Sequence, residues 1–260
     1  MFKKLSAEDF AALRGPFESG RQSQGNLGGI LFLSVFLQSL VYGLEYFVAA
    51  DASIYPNKER ILMIHFWVTL ILVILSVIYS VPAVYKRSQK MQYFVVILVS
   101  QNMAGVTSYL WALFFLGKNI GIQLSKEALL NFTYITLLIG LLIFIVTSIR
   151  FYILLIKGQY RKGSKKAEQR ENMEYLLKSY LPVIIAGSIG VLFIVQFLIR
   201  NINVDLLTQG FEPLLVIILG PILFFTMMFV LPEQLILLYC KYRFEGFNFY
   251  MSGHLKELEK

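Results

Sequence analysis

Cysteine is almost absent. Cys240 is the single one in 260 residues, so no disulfide can close within the chain and a disulfide-stapled scaffold is excluded. Histidine is nearly as scarce, with only His65 and His254, and no HExxH or clustered His-Cys pattern supplies a metal site. Glycine-rich phosphate loops are missing, which excludes nucleotide hydrolysis by this chain. The GSIG at 187–190 resembles part of a serine nucleophile motif but has no histidine base at a matching depth. Charge is also thin, at 15% of residues against about a quarter in soluble domains. No enzyme activity and no cofactor is expected.

What is present is apolar mass: 57% of residues are hydrophobic and 15% aromatic. That richness excludes a disordered chain. It also exceeds what a soluble fold of this length can place inside, because surface-to-volume scaling leaves many side chains facing water. The chain reads as an all-α membrane protein. A hydrocarbon core about 30 Å thick needs about 20 apolar helical residues. Six runs meet that length: 29–49, 61–84, 93–116, 129–156, 181–199 and 214–239. They are apolar all round, unlike the alternating strands of a membrane barrel.

Nineteen of the 24 Lys and Arg residues fall before the first run, at Arg150, in the second and fourth connections, and in the tail 241–260. Cytoplasmic loops carry such an excess, so the expected topology has both termini in the cytoplasm. The net charge of +8 is then a topology signal, and no nucleic-acid partner is expected. Compactness and the lack of a targeting segment suggest a bacterial plasma-membrane location. Residues 1–28 form the N-terminal part. There, Leu5, Phe10, Leu13 and Phe17 set against Glu8, Asp9, Arg14 and Glu18 predict an amphipathic helix on the membrane surface, with Ser6 as N-cap. Gly15-Pro16 should break it, and Arg21–Gly29 should be a flexible link. The connection at 157–180 is basic, with a helical second half.

Polar side chains inside a bilayer are costly, so each is a candidate for function. Glu45 and His65 sit near the outer ends of the first two spans, at similar depth, where a carboxylate beside an imidazole makes a proton-sensitive pair. The alternative is a glutamate near water and a histidine bonded to a neighbouring helix. Arg150 and Glu233 share a depth at the inner end, which suggests an ion pair or two snorkelling side chains. The third span is the most polar, with Ser100, Gln101, Asn102, Thr107 and Ser108, and Gln101, Gly105 and Ser108 fall on one face. That face either packs against helices or lines a polar pathway, with Gln38 and Gln196 as partners. Pro221 and Pro232 should kink the last span.

An N-terminal surface helix, six spans and no large outer domain resemble, in layout only, the six-span permeases of ABC-2 type exporters. The resemblance implies a non-enzymatic subunit of a transport or export system. Its partners would be a cytoplasmic ATPase or another membrane subunit, docked on loops 85–92 and 157–180, and two copies would form the pathway. The short 85–92 loop and the mass in the fourth connection depart from that family. The other reading is an accessory, scaffold or immunity protein that binds another membrane protein or a membrane-active peptide.

Overall fold

The computed structural model describes residues 5–118, 124–173, 175 and 205–258; the side chains of 205–213, the fifth expected span at 181–199 and Gln196 lie outside the described residues. Among the described residues the secondary structure is helical, apart from one antiparallel bridge between Phe249 and Leu255. Five helices there are long and apolar enough to cross a membrane, which makes this a helical bundle of membrane-protein type. We name them α1 (Gln24–Leu44, continued by a π-helical turn Glu45–Ala49), α2 (Lys58–Ser80), α3 (Gln89–Leu116), α4 (Lys126–Ile156) and α5 (Asp205–Arg243).

Local chemistry sets the helix ends. Ser23 caps α1 by accepting from the Asn26 amide at 3.4 Å, and Ser125 caps α4 by accepting from Ala128 at 3.2 Å. The Ser23 cap starts α1 at Gln24, so the stretch expected as a flexible link is mostly helical. Gly28 there lets Tyr85 lie against the backbone; a Cβ would meet its ring at 2.8 Å. Val81-Pro82 ends α2, since the residue before proline is held extended. Pro221 and Pro232 do not interrupt α5, which is helical from Asp205 to Arg243. A second π-helical stretch, Gln101–Thr107, lies inside α3.

Successive helices α1 to α4 pack antiparallel. Polar pairs join α1 to α2 and α2 to α3, Tyr109 of α3 stacks on Phe224 of α5, and Gly140 of α4 faces the Phe224 ring. Gly220 sits so close to α3 that a Cβ would come 2.4 Å from the Ser108 carbonyl oxygen. One apolar cluster fills the end of the bundle that carries most of the basic residues, joining Phe10, Leu13, Phe17, Tyr93, Leu155, Tyr160, Cys240 and Phe247. We call this the basic end. The opposite end is filled by Ala49, Tyr55, Leu62, Leu113, Phe114 and Leu129.

The N-terminal segment corrects the expectation of a surface helix. Ala7–Arg14 is a 3-10 helix, followed by a single α-turn at Gly15–Glu18. Ser6 stands at its N-cap, donating its amide to Asp9 Oδ2 at 2.8 Å. Phe10 packs on Tyr239 and Phe244, and Phe17 on Tyr93, Phe247 and Phe249. The apolar stripe thus faces protein, because aromatic side chains of α3, α5 and the tail supply a closer-packed partner than a membrane surface.

Candidate functional site

On α2 the buried residues are Leu62, His65, Thr69, Leu72 and Ser76, a single stripe at three- and four-residue spacing. On α1 the matching buried stripe is Leu27, Leu31, Ser34 and Gln38, and Glu45 extends it into the π-helical turn. The two stripes face each other, so their polar members meet in register. At the basic half, the Ser34 hydroxyl donates to the Leu31 carbonyl and lies 3.3 Å from Ser76 Oγ, while Gln38 Nε2 donates to Ser34 and Ser76. At the far half, His65 Nδ1 lies 3.0 Å from Glu45 Oε1, and both side chains are buried, at 4% and 0% exposure.

Helix α3 extends this seam. Thr107 Oγ1 lies 3.4 Å from His65 Nε2 and donates to the Asn102 carbonyl at 2.9 Å, and Asn102 Nδ2 donates to Thr69 Oγ1 at 3.2 Å. The π-helical winding at Gln101–Thr107 leaves the Asn102 carbonyl open to a hydroxyl five residues on. Such π segments recur at functional sites. From Ser76 to His65 the seam runs eleven residues of α2, about 16 Å, or roughly half a hydrocarbon core.

The bonding pattern restricts where protons sit. Thr107 has one hydroxyl hydrogen, and the Asn102 carbonyl takes it. Thr107 Oγ1 can then only accept from His65, so Nε2 carries a hydrogen. Two states satisfy this: a neutral imidazole receiving a proton from a protonated Glu45, or an imidazolium donating to the carboxylate. They differ only in the position of one proton between Nδ1 and the carboxyl group, and the pair has no net charge in either. A neutral pair is what an apolar bundle tolerates.

The remaining expected residues are distributed elsewhere. Gln101 Nε2 donates to the Met227 carbonyl at 3.3 Å and to Gln234 Oε1 at 2.9 Å, and Gln234 in turn reaches Ser100 at 3.5 Å. These three join α3 to α5, away from the seam. The Ser108 hydroxyl donates to the Ala104 and Gly105 carbonyls of its own helix. Glu233 is held bidentately by Arg170, which donates Nη1 to Oε2 at 3.1 Å and Nη2 to Oε1; among the described residues Arg150 makes no ion pair with Glu233. Ser34, Thr69, Ser76 and Gln234 were missed from sequence because hydroxyls and amides are common in spans. The signal that exposes three of them is their spacing from His65 on α2 or from Gln38 on α1.

At the basic end, Lys241 is 1% exposed; its Nζ donates to the Phe247 carbonyl at 3.0 Å and lies 4.5 Å from the Phe17 ring centroid, 5.3 Å from that of Phe249 and 5.5 Å from that of Tyr93. Gln89 reads the Phe249 backbone twice, accepting from its amide at 2.8 Å and donating to its carbonyl at 3.1 Å. Gln24 donates to the same Gln89 at 2.9 Å. Lys90 pairs with Glu245. Much of the 85–92 connection is thus engaged within the chain. At the opposite end a shallow depression of about 570 Å³ is lined by Tyr55, Asn57, Lys58, Glu59, Arg60 and Lys126. Among the described residues no three His, Cys, Asp or Glu side chains gather as a metal site would need. No family model, no curated protein and no solved structure matches this chain.

Proposed function

We propose that this chain is a non-enzymatic subunit of a membrane transport or export system, and that its working part is the seam Glu45–His65–Thr107–Asn102–Thr69. The observation that carries the reading is a carboxylate and an imidazole, in contact and almost fully buried among apolar helices, with a hydroxyl at the far ring nitrogen. Ionisable groups at such depth are expensive, and proton relays are a main use of them. A π-helical segment at each of Glu45 and Asn102 leaves backbone beside the seam able to rewind by one residue.

The same reading includes six spans, with both termini in the cytoplasm of a bacterial cell. Helices α4 and α5 both finish at the basic end, where Phe151 and Leu155 join the same cluster as Leu237 and Cys240. That parity supports a sixth crossing at 181–199. Engagement of Gln89, Lys90 and Gln92 within the chain favours a proton-linked device over ATPase docking at 85–92.

The test is proton flux. Purified protein in liposomes enclosing a pH-sensitive dye should relax an imposed pH gradient faster than protein-free liposomes. Glu45→Gln should abolish the difference, and Ser39→Ala, on the exposed face of α1, should not. Wild-type protein relaxing the gradient no faster than empty liposomes, or Glu45→Gln matching wild type, overturns the proposal. The second reading, an accessory or immunity protein, is favoured by α4, whose Ile135, Leu138, Leu142, Val146, Ile149 and Ile153 form an exposed apolar stripe suited to another membrane helix.

A further inference from the structure

Where α4 leaves the bundle at the basic end, the charges are out of balance. Arg150 lies on its exposed side, six residues or about 9 Å before the helix end. The chain then turns through Gly158, at a positive φ of 65°, and places Tyr160 face to face with Phe151, with centroids 4.8 Å apart and planes 19° from parallel. Tyr160 is only 4% exposed, so the stacked pair is a fixed platform. Lys166 Nζ lies 5.4 Å from the Tyr160 centroid and Arg170 5.7 Å.

Glu233 bears on this group, and Arg170 grips both its oxygens. Among the described residues neither Arg150 nor Lys166 makes a direct ion pair with a carboxylate. Burial holds the Lys166 pKa below the ordinary lysine value, and the positive charges of Arg150 and Arg170 lower it further against the opposing pull of Glu233. Lys166 is thus held on a rigid aromatic base close to Arg150, while the Glu233 carboxylate that acts on it is gripped by Arg170.

Directly beyond Arg150, away from the basic end, α4 presents Ile149, Val146 and Leu142, with Ile153 on the other side, all 45–61% exposed. Their three- and four-residue spacing makes one continuous apolar strip leading from the cations into the membrane-spanning part of the helix. We propose that Arg150 and Lys166 hold the phosphoryl group of an anionic phospholipid whose acyl chains lie along Leu142, Val146, Ile149 and Ile153. A guanidinium and an ammonium recognise phosphate by charge-assisted hydrogen bonds. The long Arg150 side chain reaches headgroup level from within the helix. The apolar strip selects a lipid over a soluble phosphate ester, which would leave it uncovered. This site is independent of the seam and of transport.

Native mass spectrometry of the detergent-solubilised full chain, with phosphatidylglycerol or phosphatidylcholine added, tests it. Phosphatidylglycerol should be retained in preference. The double variant Arg150→Gln/Lys166→Gln should weaken that binding about tenfold or more. Lys162→Gln/Lys165→Gln removes the same charge from exposed positions of the same connection and should change it less than about twofold. Excess glycerol phosphate should not displace the lipid. Equal weakening in both double variants, no preference over phosphatidylcholine, or displacement by glycerol phosphate would overturn the assignment. Gel filtration and a thermal midpoint without lipid establish that the variants fold, and Lys166→Gln alone, outside the spans, repeats the test should the double variant not fold.

Discussion

At the scale of single residues, the hydroxyl of Thr107 decides more than its size suggests. By donating to the Asn102 carbonyl it leaves its oxygen to accept from His65 Nε2, which turns Nδ1 toward Glu45. Replacing Glu45 by Ala strands an imidazole in the bundle and should cost about 2 kcal/mol, between the values for buried pairs and for intramembrane hydrogen bonds. Glu45→Gln keeps a hydrogen-bonding partner and should cost less than half of that, both read as thermal unfolding in detergent. A different residue is strained. Ala52 adopts a left-handed backbone, φ 54°, in the exposed turn between α1 and α2, so Ala52→Gly should raise stability by about 1 kcal/mol while Ala52→Val lowers it. Glu45 and His65 were legible in the sequence because an acid and a histidine stand out in apolar runs and a short connection brings their depths together. Thr69, Ser34 and Ser76 were not, because a hydroxyl can satisfy itself on its own helix, as Ser108 does, and only the facing helix shows which ones do more.

At the scale of helices, close approach rests on a few glycines. A Cβ on Gly220 would meet backbone, 2.4 Å from the Ser108 oxygen, and the Ala112 side chain at 2.6 Å. On Gly140 it would meet the Phe224 ring at 2.5 Å, and a ring can turn aside where a backbone cannot. Gly220→Ala should therefore destabilise by about 1–3 kcal/mol and Gly140→Ala by clearly less, an order that thermal midpoints of the two variants will show. Five of the apolar runs appear as helices, mostly longer than their apolar cores because Ser23 and Ser125 cap them beyond the hydrophobic edge. Pro221 and Pro232 lie inside α5, which stays helical because a proline's cost is local and the flanking turns pack against α3 and α4. The two π-helical stretches left no signature in composition or spacing.

At the scale of the whole molecule, the basic end is closed by three stretches distant in sequence. The Ala12 amide donates to the Tyr160 carbonyl at 2.8 Å, Arg161 Nε binds Asp9 Oδ1 at 2.6 Å, and Arg14 Nη2 donates to the Lys256 carbonyl at 2.8 Å. The charge excess at this end was legible in sequence; the closure was not, since contacts across 150 to 240 residues leave no local pattern. Its charges make a pH prediction. Burial raises the Asp9 pKa, but bonds from Arg161 and Ser6 outweigh it and hold the value below the ordinary range. A bond from Lys256 lowers Glu245, against a smaller effect of burial. Carboxylates depressed in the folded state contribute stability above their unfolded pKa of about 4 and lose it as pH falls through the lower folded values. Amide exchange at 7–18 and 244–258 should therefore accelerate below about pH 4 while the seam helices stay protected; equal acceleration in both would contradict this. The effect should rest mainly on Asp9, because the Glu245 side chain is 54% exposed and screened by water. The closure also has an order in time. Residues 7–18 leave the ribosome more than 200 positions ahead of Phe244, Phe247 and Phe249, so Phe10 and Phe17 gain those ring contacts only late in synthesis. The faces of Phe10 and Phe17 that those rings cover therefore close last, so the packing that shuts the basic end is a late event of folding.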